Sequence, residues 1–187
     1  MTPVEIEETL ETLTVLVDSR EQDTERSRRR LKAMGAPAFR VTLDYGDYAA
    51  NVRLPSGEWL HDPDGRIAAG CVIERKMNLD ELAECLTRGR DRFRREFQRA
   101  KEHGASVWLL VENGGWEALL AGRYRSKFQP KAFLASLTAW AVRYDIQIVF
   151  CDELTTPILI REILYRDMKE RLSNGEFDKD GWTDRVD

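Results

Sequence analysis

Cys71-Val72-Ile73-Glu74-Arg75-Lys76, running on as Met77-Asn78-Leu79-Asp80, is the stretch that decides how this chain is read. Three apolar residues and an acid predict a buried-type strand over Cys71 to Glu74. Asn78, with Glu81 three residues later, forms a capping box and predicts a helix through Leu86. A strand therefore turns almost directly into a helix at a cluster of charges. Because side chains alternate along a strand, Glu74 and Lys76 fall on one face and Arg75 on the other.

Upstream, Thr14 to Asp18 is a short apolar run ending in a polar loop, and Glu25 to Met34 reads as an Arg-rich helix stopped by Gly35. Phe39, Val41 and Leu43 alternate with polar residues, and the run resumes from Tyr48 towards Val52 after Gly46, which predicts a hairpin-like strand pair. A turn-rich insert, residues 55–66, separates that pair from the central stretch. Downstream the pattern predicts a helix over Asp91 to His103, a buried strand at SVWLLVE, and a helix over Lys131 to Tyr144 behind Pro130. A strand over Ile146 to Phe150 and a last helix from Pro157 to about Leu172 complete it. Strands and helices alternating in this way predict an α/β fold with a mixed central sheet flanked by helices. A chain of 187 residues that is 42% hydrophobic can bury the core of one domain, which excludes disordered and fibrous classes. Residues 1–12 read as an N-terminal extension, 13–172 as the domain and 173–187 as a polar tail, both ends being linker-like. Cys71, Cys85 and Cys151 are widely spaced with no CxxC pair, which predicts neither disulfides nor zinc and makes a reducing compartment the default. The amino terminus is acidic where a signal peptide would be basic, so a soluble chain without export or membrane signal is expected.

The acids concentrate where strands end. Asp18 and Glu21 close and follow the first strand, Asp47 lies in the bend YGDY, and Glu74 ends the central strand with Lys76 two residues on. An acid followed by Glu-x-Lys is a metal-hydrolase pattern. A cation between Asp47 and Glu74 would have an ammonium beside it, and oxygen ligands suit Mg²⁺ or Mn²⁺ rather than zinc. Phosphodiester hydrolysis needs hydroxide at neutral pH and a sink for charge on the pentavalent phosphate; a divalent ion supplies both, and Lys76 can orient water or neutralise phosphoryl oxygens. Asp18 and Glu21 are placed to hold a second ion. The plain alternative makes Glu74 and Lys76 a surface ion pair.

These motifs together resemble the XPF-type nuclease domain of structure-specific DNA endonucleases, whose pattern is GD, an insert, and ERKxxxD. Here it reads Gly46-Asp47 and then Glu74-Arg75-Lys76-Met77-Asn78-Leu79-Asp80, with VDxRE upstream as Val17-Asp18-Ser19-Arg20-Glu21 and a Gly-Arg pair downstream as Gly89-Arg90. The resemblance covers about residues 14–152. It implies a restriction-endonuclease-like core, metal ligation by Asp47 and Glu74, and participation of Asp18, Glu21, Arg75 and Lys76, with Asp18 as a further metal ligand. Asp80 completes the family motif, although an acid in the first turn also suits the helix dipole. Family members usually carry a tandem helix-hairpin-helix module after the nuclease domain, and many pair with a catalytically dead relative. This chain is expected to lack that module and to grip the duplex by other means.

Net charge is −4, so attraction to nucleic acid must be local. From Arg88 to Lys101 the basic residues far outnumber Asp91 and Glu96, and Phe93 and Phe97, four apart, would bury one side of the helix. Arg88, Arg90, Arg92, Arg94 and Arg95 are thereby expected outward against a DNA backbone, with Arg20 near the metal. The second basic helix, with Arg26, Arg28, Arg29, Arg30 and Lys32, is read as a solvated face. His61 and His103 receive no role, and Trp108, Trp116 and Trp140 are read as core or interface.

The reading is a divalent-metal-dependent DNA endonuclease acting on branched or structured DNA in repair or recombination. It would be cytoplasmic and nucleoid-associated in a prokaryote or phage and nuclear in a eukaryote. The alternatives are a non-catalytic DNA-binding partner module, whose relatives lose the acids, and a standalone nuclease of ordinary duplex or ends. Apolar stripes on the helices 131–144 and 157–172 are too many for one sheet face. One stripe left bare would make an apolar patch that a two-fold interface buries, so a homodimer is expected.

Overall fold

The computed structural model describes residues 1–178. In chain order the elements are α1 (Pro3–Glu11), β1 (Thr14–Asp18), α2 (Glu25–Met34), β2 (Ala38–Leu43), β3 (Tyr48–Asn51), β4 (Arg66–Ile67) and β5 (Cys71–Lys76). They continue with α3 (Leu79–Leu86), α4 (Arg90–Glu102), β6 (Ser106–Glu112), α5 (Trp116–Leu120), α6 (Pro130–Tyr144), β7 (Ile146–Cys151) and α7 (Thr156–Ser173). All seven strands join one sheet in the order β4-β2-β1-β3-β5-β6-β7. Only β3 runs against its neighbours, pairing antiparallel with β1 and with β5, while every other pair is parallel. The mixed sheet flanked by helices is the α/β architecture expected.

The sequence explains most of these elements locally. Thr24 caps α2 through a reciprocal pair of bonds with Ser27, and Gly35 ends it in the left-handed region at φ 63°. Asn78 accepts the amide of Glu81 at the start of α3. Glu81 bonds the amide of Met77 rather than that of Asn78, so the box is closed one residue early. The sheet's two sides bury different stripes. Phe93 and Phe97 of α4, Leu82 and Leu86 of α3, and Phe133, Leu137, Trp140 and Tyr144 of α6 cover one face with Leu16, Val72 and Leu109. Ile160, Leu164 and Met168 of α7, Met34 of α2 and Ile6 and Leu10 of α1 cover the other with Val15, Ile73 and Leu110. At roughly 1.5–3 kcal/mol for each large apolar side chain taken fully out of water, these two layers are the main source of stability.

Four expectations change. The strands β2 and β3 do not form a hairpin: they flank β1 on opposite edges, because a strand buried along its whole length needs a partner on both sides. Residues 1–12 are not a loose extension. They begin with the capped helix α1, whose Ile6, Thr9 and Leu10 are buried, and the Met1 ammonium meets Asp178 at 2.7 Å. The helical stripes of α6 and α7 cover opposite faces of the sheet, so neither is left bare and that argument for a homodimer falls. Trp116 is exposed, which removes the core half of its core-or-interface reading, and meets Phe150 edge-on. The tail assigned to 173–187 is described only to residue 178; residues 179–187 lie outside the described residues. Among the described residues the cysteines are free, and no helix is long and apolar enough to cross a membrane.

Candidate active site

Parallel strands bring their carboxyl ends to one edge of a sheet, and here β1, β5 and β6 end there in Asp18, Lys76 and Glu112. The reversed strand β3 enters from that same edge, which sets Asp47, just ahead of it, among them. The Asp47 peptide is tied to both neighbours: its N–H donates to the carbonyl of Ile73 at 2.8 Å and its carbonyl accepts from the amide of Asp18 at 2.9 Å. Gly46 makes that approach possible. Its φ is +75°, and a Cβ there would stand 2.7 Å from Cβ of Val72.

The pleat of β5 divides the charges. On the α3/α4 side, Lys76 Nζ bonds Glu74 Oε1 at 2.6 Å, stands 3.9 Å from Glu81, and lies 5.1 Å from the centre of the Phe93 ring. Glu74 and Lys76 are buried at 5% and 7% exposure, so the surface ion-pair alternative does not hold. Asp47 Oδ2 accepts the Arg75 amide at 2.8 Å, and the half-buried side chain lines the cleft. Burial, then the charge of Glu74, pushes the Asp47 carboxyl up to about 8. Burial raises Glu74 as well, against the pull of Lys76. For Lys76 burial opposes the charge, but Glu74 and Asp47 outweigh it and keep the ammonium charged.

On the α2/α7 side each charge has a partner of opposite sign, although Arg30 Nε, Arg75 Nε and Glu112 Oε1 are buried without a hydrogen bond. Arg75 Nη1 bonds Glu112 Oε2 at 3.1 Å and its Nη2 reaches Glu21 Oε1 at 3.5 Å. Arg30 bonds Glu21 at 3.1 Å and Tyr48 Oη at 2.9 Å, and Tyr48 donates to Glu21. Arg26 reaches Glu112 at 3.2 Å and Glu153 at 2.6 Å. Glu112 is fully buried. For Arg75 burial again opposes the charge, and Glu112 and Glu21 more than restore it.

Asp18, Arg20, Glu21, Asp47, Glu74, Arg75, Lys76 and Arg92 line one cleft of about 820 Å³. Asp80 does not. It lies in the first turn of α3, and its Oδ1 accepts the amides of Arg125 and Ser126, both at 2.7 Å, so its expected catalytic part is replaced by anchoring a loop. Arg88 also lies outside the cleft, next to that loop. Arg90 lies over the Trp140 ring at 5.2 Å and donates to the Leu86 carbonyl, which makes it partly a structural residue. Arg94 and Arg95 are exposed on α4. Arg20 bonds Asp18 and reaches Glu96 at 3.3 Å. The solvated reading of α2 holds for Arg28 and Arg29 but not for Arg30, whose side chain is 3% exposed.

The donor chemistry fits one hard divalent cation between Asp47 and Glu74. The buried Glu74 and the half-buried Asp47 beside it carry negative charge with too little compensation, which a cation bound through oxygen relieves. Asp18 and Glu21 do not converge on a second ion: the Leu43 amide and Arg20 hold the Asp18 oxygens, while Arg30, Arg75 and Tyr48 hold Glu21. Among the described residues no group of three His, Cys, Asp or Glu side chains is assembled for a metal. Sequence reasoning missed Glu112, Arg30 and Tyr48. The signal available was an acid ending a wholly apolar strand, and arginines at positions 26 and 30 on the stripe of α2 that continues to Met34.

A family model described as the ERCC4 domain matches residues 17–158. Among solved structures the chain is similar to XPF from Aeropyrum pernix, at 22% identity and TM-score 0.58, with 88% of this chain and 69% of that one covered. It is also similar to XPF from Aeropyrum pernix in complex with DNA, at 23% identity and TM-score 0.58, covering 85% of this chain and 66% of that one. No curated protein matches. At these identities the structural likeness speaks for the fold, a restriction-endonuclease-like α/β core.

Proposed function

The chain belongs to the ERCC4 domain family of DNA endonucleases, and from that premise we propose that it hydrolyses phosphodiester bonds in branched or structured DNA with the help of Mg²⁺ or Mn²⁺. The observation that carries this reading is the half-buried Asp47 next to the buried Glu74, beside a charged Lys76 at the floor of an open cleft. Asp47 and Glu74 would hold the cation, which when bound lowers the pKa of water and draws charge from the phosphate. Lys76, fixed by Glu74 and by the Phe93 ring, orients the attacking water or neutralises a phosphoryl oxygen. Arg20 and Arg92 flank the cleft as phosphate contacts, and the exposed Arg94 and Arg95 extend that surface along α4. Arg75 lines the same cleft from the other face of β5. Its guanidinium braces the strand against Glu112 and Glu21 while its amide aims the Asp47 carboxylate.

The DNA held by the similar Aeropyrum protein supports DNA as the substrate. A non-catalytic partner module is disfavoured because Asp47, Glu74 and Lys76 are all present. Incubation with labelled duplex, flap, fork, splayed-arm and single-stranded DNA in Mg²⁺, Mn²⁺ or EDTA tests the reading. Cleavage of branched forms in either metal and none in EDTA is expected. Equal cleavage of plain duplex would favour the standalone-nuclease alternative, and no cleavage of any form would end the enzymatic reading.

Self-association remains part of the proposal on a different surface. The edge strand β7 pairs only with β6, and Trp116, Leu120, Leu154 and Ile158 stand exposed around it. Light scattering at micromolar concentration should give twice the 21.6 kDa protomer mass; a strict monomer with and without DNA would remove the homodimer.

A further inference from the structure

Beside the cleft, on the other side of α3, lies a second concavity of about 720 Å³. Asp80, Glu84, Thr87 and Arg88 form one wall and Arg125 and Lys127 the other. Its second wall is Arg125-Ser126-Lys127-Phe128 of the loop between α5 and α6, residues 122–129, which contains three cations and no acid, with Arg123 on the loop's other side and Lys131 just beyond. The loop is built in a regular way. Arg123, Arg125, Lys127 and Gln129 are exposed, while Tyr124, Ser126 and Phe128 turn inward. Tyr124 and Phe128 pack on Phe133 at 5.4 and 5.1 Å between ring centres, and Tyr124 Oη donates to the Phe128 carbonyl at 2.7 Å. Asp80 takes the amides of Arg125 and Ser126. For that acid burial works against the charge, but the two amides and the Arg125 guanidinium outweigh it and keep it ionised. Arg125 is thereby paired with Asp80. Arg123, Lys127 and Lys131 have no carboxylate within salt-bridge distance among the described residues.

We propose that this loop, held by Asp80, is a second docking site for the sugar-phosphate backbone of duplex DNA, gripping the arm that leaves the cleft past α3. Rows of cations on a pre-ordered loop bind phosphate without paying the ordering entropy of flexible lysines. Arg88 completes the site from the opposite wall, and α3 is the ridge shared with the cleft, where Glu81 faces one side and Glu84 the other. Asp80 is a positioning residue in this scheme: it holds the loop and touches no DNA.

The proposal rests on the nuclease reading, and the experiment separates the two. Binding of the full chain to a fluorescent duplex is followed by anisotropy over a salt series without divalent metal, and cleavage is followed in Mg²⁺. Arg123→Ala/Lys127→Ala should flatten the slope of log K against log salt by about 1.8, some 0.9 for each phosphate no longer neutralised. It should raise KM roughly tenfold and leave kcat unchanged. The charge-matched control Arg161→Ala/Lys169→Ala, on α7, should behave as wild type. Asp80→Ala should weaken binding although it removes an acid, because the loop is released; tighter binding would show that the acid acts only by its charge and would overturn the positioning role. An unchanged slope in the loop variant, or an equal change in the control, overturns the docking site alone. A wild-type chain that neither binds nor cuts DNA overturns the nuclease reading and this site with it.

Discussion

Consecutive residues of β5 belong to two charge clusters of opposite character. On the α3/α4 side Asp47 and Glu74 crowd together with one ammonium between them and the cleft, so their charge is undercompensated. On the α2/α7 side Arg75, Arg30 and Arg26 share Glu112 and Glu21, with Tyr48 closing the set. The first cluster costs folding free energy, and on the proposed reading a cation and a phosphate relieve it. The second balances its charges within itself, three guanidiniums against Glu112 and Glu21. A single strand can therefore carry reactive groups and their brace one residue apart, because the pleat keeps them from meeting.

The largest expected effect breaks the reactive side. Asp47→Asn or Glu74→Gln should slow cleavage at least roughly 10³-fold, about 4 kcal/mol of barrier, with the melting temperature held or raised. Near wild-type cleavage at saturating Mg²⁺ would show that the crowded acids are not the reacting site. Breaking the brace should have the reverse signature. Glu112→Ala leaves two or three guanidiniums facing a buried void and should cost roughly 3–5 kcal/mol in urea unfolding. A loss under about 1 kcal/mol would mean that the network adds nothing to the fold. Tyr48→Phe sharpens the same point at smaller scale. Losing the hydroxyl that bonds Arg30 and Glu21 should cost about 1–2 kcal/mol and leave kcat alone, so a kcat effect larger than the stability effect would place the network in catalysis. Smallest in stability terms is Arg92→Ala/Arg94→Ala/Arg95→Ala on α4. It should move unfolding by no more than about 0.5 kcal/mol while flattening the salt slope by about 0.9 for each phosphate released.

The contrast between α2 and α4 marks how far the sequence could be read. Both helices are rich in arginine. On α4 the pair Phe93 and Phe97 fixes the buried side, so the outward direction of Arg92, Arg94 and Arg95 was legible. On α2 the buried side includes Arg30, and nothing local to that helix announces that Glu21, Glu112 and Tyr48, from three other elements, will meet it. Local patterns likewise gave the strand–helix turn at Asn78 and the strand ending in Glu112. They could not give the partners of β2 and β3, since alternation is the same whether two strands pair with each other or with a third. Asp80 was drawn towards the cleft by its motif; its partners, the amides of Arg125 and Ser126, lie 45 and 46 residues away.

The two backbone bonds of Asp47 also bear on the order in which the molecule can be assembled. Its carbonyl closes on β1, which precedes it, but its N–H waits for Ile73 of β5, and Glu74, Arg75 and Lys76 follow on that same strand. A chain emerging from the ribosome with only its first seventy residues exposed holds Asp18 and Asp47 and has neither Glu74 nor Lys76. The cleft is therefore complete only after β5 has locked against β3 and α3 and α4, which carry Glu81, Arg92 and Glu96, have packed beside it. A half-made copy lacks Glu74 and Lys76 and also the arginines of α4, so on the nuclease reading both cutting and most of the grip on DNA wait for the completion of the fold.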